Sequence, residues 1–126
     1  MKYEIHIASA KEHLKVANEY DEKYKKEKIP VMQTAFRIVA AQNYFYAAVN
    51  AIEAVFAKEK GEHSFSHENR FRKLHEYKGI FSKGLLLLYN EVDRADRNRV
   101  AYRGENGQRY LNIKSLALKA AGEILE

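Results

Sequence analysis

The segment from about Pro30 to Lys60 constrains the fold most, because it is apolar on two faces of one helix. Met32, Ala35, Ile38, Phe45, Val49, Ile52 and Phe56 recur at helical spacing along one side, and Phe36, Ala40, Ala47, Ala51 and Ala54 along another. A helix with two apolar stripes needs packing partners on two sides, which places it at the centre of a helical assembly. The alanines let a neighbouring backbone approach closely. Ile29-Pro30 marks the start, since proline disfavours the α conformation in the residue before it yet suits the first turn of a helix. Gly61 marks the end, where a left-handed residue is expected.

The flanking segments supply the partners. A first helix is predicted from about Tyr3 to Lys28, with Ile7, Leu14, Ala17 and Tyr24 inward and a charged far end that projects beyond the core. After a loop from Glu62 to Ser66, a short helix from Ser66 or His67 to Lys78 carries Phe71, Leu74 and Tyr77 inward and is closed by Gly79. A fourth helix follows the N-cap Ser82 and runs to about Tyr102 with Leu85, Leu88, Val92 and Ala95 as its apolar edge. Gly104-Glu105-Asn106-Gly107 is the strongest turn signal, and a last helix from about Asn112 to Leu125 carries Ile113, Leu116, Ala120 and Ile124 inward. No convincing β-alternation competes. The expected fold is all-α, an antiparallel four- to five-helix bundle of up-and-down form, in one domain over residues 1–126.

Composition excludes several functions. With no cysteine, the chain has no disulfide, thiolate zinc site, iron–sulfur cluster or cysteine nucleophile, in keeping with a reducing, cytoplasmic setting. No stretch approaches the roughly 18 uncharged apolar residues of a membrane span, and Met1 to His6 lack an apolar leader, so no membrane partner is expected. The formal net charge of +5 favours acidic partners such as nucleic acid or nucleotides. Much of the lysine alternates with glutamate, as in Glu22 to Lys28, the pattern of a solvated helix face.

The chemistry concentrates near the end of the fourth helix. Five of the eight arginines, Arg94, Arg97, Arg99, Arg103 and Arg109, fall within 16 residues. Arginine is suited to bidentate contact with phosphate. On a helix Arg94, Asn98 and Tyr102 share a face, Arg97 lies one turn from Arg94, and Arg99 pairs with Arg103. A cation, an amide and a phenol would then converge beside a glycine loop. The alternative is a set of surface ion pairs, with Asp93 one turn before Arg97 and Asp96 before Arg99, and with cations favoured by the helix dipole.

His63, His67 and His75 are spaced at four and eight residues, but without a carboxylate evident on the same face they read as ordinary side chains, and no metal or cofactor is expected. Tyr44, Tyr46, Tyr77 and Tyr89 read as core or interface residues with one wet end. Neither a phosphate-binding glycine loop nor a Gly-x-Ser-x-Gly elbow occurs, and no carboxylate pair stands out.

Two segments together resemble the HEPN superfamily, the helical domains named for higher eukaryotes and prokaryotes nucleotide binding. Gln42 to Ala54, followed by Gly61 and Ser66-His67-Glu68, is similar to its long central helix and the connection after it. Arg97-Asn98-Arg99-Val100-Ala101-Tyr102 resembles its motif of an arginine, a polar residue and, a few positions on, a histidine. The resemblance implies a homodimer with Arg97 and Asn98 facing phosphate in a cleft between protomers. It also implies an RNA or nucleotide ligand and, in toxin–antitoxin pairs, a small nucleotidyltransferase partner. The chain departs from the motif at Tyr102, which stands where the histidine would. A phenol with an ordinary pKa of about 10 does not supply proton transfer at neutral pH.

Three functions follow. The first is RNA or nucleotide binding by Arg97, Asn98 and Tyr102, supported by Arg94 and Arg103. The second is a metal-independent ribonuclease in which Arg97, Asn98 and Tyr102 are catalytic. The third is a structural or partner-binding module without a ligand. The resemblance also extends to toxins whose motif-adjacent tyrosine is nucleotidylated by the partner, a fate open to Tyr102.

Overall fold

The computed structural model describes residues 2–96 and 108–125, and among them all regular structure is helical. The elements are α1 (Tyr3–Lys26), α2 (Pro30–Lys60), α3 (His67–Glu76), α4 (Lys83–Glu91) with a π-helical turn over Val92–Asp96, and α5 (Gln108–Ala120) with a second such turn over Ala121–Leu125. The expected all-α bundle is the architecture observed.

Helices α1 and α2 form an antiparallel hairpin with a heptad register. His6 Nδ1 meets Asn50 Oδ1 at 3.2 Å, His13 Nδ1 meets Asn43 Oδ1 at 3.0 Å, and the Tyr20 and Phe36 rings lie 5.8 Å apart. Each step advances seven residues on one helix and retreats seven on the other, the signature of packing close to antiparallel. Asn43 and Asn50 donate their amide Nδ2 to the carbonyls of Val39 and Tyr46, so their Oδ1 atoms are the acceptors and each histidine carries its proton on Nδ1. These contacts pair polar side chains across a seam that also holds the buried Ala10, Ala17, Ala41 and Ala48.

The same register fixes the hairpin turn. Continued one more heptad, the ladder brings Glu27 to Ile29, where the chain reverses. The Glu27 carboxylate accepts the N–H groups of Lys28 and Ile29, both at 3.0 Å, and Gln33 donates its amide to the Glu27 carbonyl. Helix α1 therefore ends at Lys26 rather than Lys28, because residues 27–29 are needed for the reversal. Pro30 opens α2, and Gly61 closes it at φ 65.

The charged end of α1 does not project as expected. Asp21 is buried, accepting from Tyr110 Oη at 2.6 Å and from Lys114 Nζ at 2.8 Å, and Tyr24 packs edge-on to Tyr110. An acidic residue inside a charged run is thus an anchor for α5, which is already helical at Gln108, before the expected start near Asn112. The two-sided burial of α2 holds from Ala40 to Phe56, whereas Val31, Met32 and Ala35 at its first turns are exposed.

Side-chain contacts order the other helices. His67 lies by Phe45 and Tyr77 by Phe56, so α3 runs in the same direction as α2. Phe81 lies by Phe56 and Tyr89 by Phe45, so α4 runs back, and α5 returns from Tyr110 beside Tyr44. Helix α3 stops at Glu76, two residues early, capped by Tyr77 rather than closed by Gly79. The α-helical part of α4 ends at Glu91, and the predicted continuation to Tyr102 and the turn at Gly104–Gly107 lie outside the described residues. One core joins these helices, with Tyr44, Tyr89, Phe56, Ile52, Leu74, Leu85, Ile113 and Leu116 as its large members. Among the described residues no helix is long and apolar enough to cross a membrane.

Candidate functional site

A charged hub joins α2, α3 and α4. Glu53, 2% exposed, stands in the apolar face of α2 between Ile52 and Ala54. A lone buried carboxylate costs several kcal/mol, roughly, unless it is paired and hydrogen-bonded. Here Oε2 accepts from Arg70 Nε at 2.7 Å and Oε1 from the Ser64 backbone N–H at 2.9 Å. Burial alone would raise the Glu53 pKa, but the Ser64 N–H and the Arg70 guanidinium overcome it and hold the carboxyl below its ordinary value. Arg70 is buried as well, yet Tyr89 and Glu53 keep it firmly protonated. Burial pushes the Tyr89 phenol up to about 12, against the opposing pull of Arg70.

Histidines surround this hub. His67 Nδ1 accepts from Arg70 Nη1 at 3.1 Å, which requires that nitrogen to be unprotonated. Asp93 Oδ1 lies 3.7 Å from the same nitrogen, beyond hydrogen-bond range. His63 Nδ1 is 3.6 Å from Glu53 Oε1, and the His63 ring stacks on that of His6 at 5.2 Å. Burial lowers the His63 pKa despite the opposing pull of Glu53. Among the described residues no group of three or more histidine, cysteine or acidic side chains gathers to hold a metal.

The hub carries the start of the arginine segment. Asp93, on the π-helical turn, faces inward to His67, while Arg94, next along, is exposed and makes no ion pair among the described residues. Arg94 and Asp93 line an open groove with Glu68 and Phe71 of α3. π-Helical turns recur at functional sites, although the second one, at Ala121–Leu125, shows that the feature alone does not define a site here.

Of the residues singled out from the sequence, Arg94 is placed on the surface beside α3, and Arg109 in the first turn of α5. Arg97, Asn98, Arg99, Tyr102 and Arg103 lie outside the described residues. Tyr44 and Tyr89 are core residues, Tyr77 donates to the Glu62 carboxylate, and Tyr46 is exposed. The His75 ring lies 4.5 Å from that of Phe71, tilted by 59°. A motif search passes over Glu53 and Arg70 because they are 17 residues apart on different helices. One signal was legible: Glu53 is the single carboxylate in α2 before its last turn, set among alanines and isoleucine.

No family model matches the chain, no curated protein matches it, and no solved structure matches it.

Proposed function

We propose that the chain is an RNA- or nucleotide-binding helical domain of HEPN type, cytoplasmic and homodimeric, whose Arg97, Asn98 and Tyr102, with Arg94 and Arg103, hold phosphate in a cleft between protomers. The observation that carries the proposal is the density of arginine from Arg94 to Arg109, with Arg94 exposed beside an open groove and free of ion pairs among the described residues. Arginines at such spacing suit a polyanion, and the net charge of +5 has the matching sign. Binding rather than catalysis is proposed because Tyr102 stands at the position of the motif histidine. The same resemblance makes a small nucleotidyltransferase the protein partner to look for, as in a toxin–antitoxin pair.

The test is binding of mixed-sequence RNA and of mononucleotides at low salt, followed by fluorescence anisotropy, for the native chain and for Arg94→Ala combined with Arg97→Ala. Binding that the double variant loses supports the proposal. Absent binding, or binding that the double variant retains in full, overturns it. Cleavage products that vanish in Arg97→Ala and Tyr102→Phe would move the reading to a ribonuclease.

A further inference from the structure

The loop before α3 leaves Phe65 83% exposed, the most exposed aromatic ring among the described residues. Phe65 is one wall of a cavity of about 390 Å³, whose other lining residues are Ser66, Glu68, Asn69, Phe71 and Arg72. Glu68 and Phe71 also line the groove beside Arg94, so cavity and groove are neighbours on one surface of α3.

The polar lining is built rather than incidental. Asn69 is 4% exposed, and its Oδ1 accepts the Phe65 N–H at 3.3 Å, which assigns the other end of the amide as the donor. That Nδ2 donor has no partner among the described residues. A buried amide donor without an acceptor is destabilising, and a ligand acceptor would satisfy it. Around it stand an exposed carboxylate, Glu68, able to accept N–H groups, and an exposed guanidinium, Arg72. Two aromatic walls, one donor, one acceptor and a nearby cation form the set that recognises an unpaired nucleobase together with its phosphate.

We propose that the cavity between Phe65 and Phe71 is a base-binding subsite that takes one unstacked base of a single-stranded RNA whose backbone runs along the Arg94 groove. The subsite rests on the RNA-binding reading for its strand, but it makes its own demand: stacking, which is insensitive to salt, in place of charge. The entering base would stack on the exposed Phe65 ring and present its edge towards Asn69, which lines the same cavity.

The chain has no tryptophan, so Phe65→Trp creates a single reporter at the cavity. Titrating that variant with a single-stranded RNA oligomer and, separately, with purine and pyrimidine mononucleotides should quench its fluorescence saturably. Phe65→Ala, at a position too exposed to matter for folding, should weaken single-stranded binding by about tenfold or more while leaving its salt dependence unchanged. RNA binding that is lost in the arginine variant but unaffected by Phe65→Ala, with no quench, overturns the subsite and leaves the arginine reading intact. A saturable quench by mononucleotides in a chain that binds no RNA supports the subsite and removes the RNA reading. No quench by any of these probes overturns it, as does a spectral blue shift that follows protein concentration and ignores RNA, which would assign Phe65 to contact with a second copy.

Discussion

Glu53 and Arg70 show how a single residue can decide the arrangement of three helices. The carboxylate is fixed to α2, the guanidinium to α3, and the Tyr89 hydroxyl receives the same guanidinium from α4 at 3.5 Å. Removing one partner leaves the other buried and unpaired, so Glu53→Gln should cost about 3–5 kcal/mol in urea unfolding. Replacing both at once with apolar residues of similar volume should cost much less, and a double-mutant cycle measures the difference. The pH dependence has a definite sign. Unfolded glutamate titrates at an ordinary 4.5, and folded Glu53 lies lower. Its contribution is complete above about pH 4.5 and is lost as pH falls through the folded value. Asp21, held below its ordinary 3.8 by Lys114, Tyr110 and Lys25 against the effect of burial, adds a second loss at still lower pH. Glu53→Gln should therefore flatten the fall in stability below pH 4.5, and a variant that falls as steeply as the native chain would rule out Glu53 as the titrating group.

At the scale of elements, two glycines respond to substitution in opposite ways. Gly61 takes φ 65 with open space where a Cβ would stand, so Gly61→Ala meets only backbone strain and should lower stability by about 1 kcal/mol. Gly84 lies inside α4 with ordinary φ, and an added Cβ would come 2.9 Å from Lys119 Cε, the movable end of a long side chain. Gly84→Ala should be neutral or stabilising by up to about 1 kcal/mol, as helix propensity favours alanine. Thermal unfolding of the two variants side by side checks both signs. The contrast also shows what the sequence conveys. Gly61 and Pro30 mark the bounds of α2 correctly because they act through local backbone geometry. The end of α1, the docking of α5 and the direction of α3 depend on Glu27 folding back on its own turn, on Asp21 anchoring Tyr110, and on rings meeting across helices. Those contacts have no local signature. The candidate site divides in the same way: arginine density is visible in one dimension, whereas Asn69 and Phe65 become neighbours of Arg94 only once α3 is packed against α4.

For the whole molecule, the proposed cleft between protomers and a site confined to one protomer predict different salt dependences. Each phosphate neutralised on a single strand contributes about 0.7 to the slope of log affinity against log salt. Removing Arg94 and Arg97 from a site on one protomer deletes two cations and should reduce the slope by about 1.4. In a homodimer that grips one RNA across its cleft, the same substitutions delete four, and the slope should fall by about 2.8. Phe65→Ala should leave the slope alone while lowering affinity, since a stacked base displaces no condensed counterion. Anisotropy titrations over a range of salt, at protein concentrations on both sides of any dimer dissociation measured by ultracentrifugation, separate the cases. A reduction near 1.4 at every concentration would place the arginines on independent protomers. A reduction that grows towards 2.8 as the dimer forms would make the cleft itself the binding site.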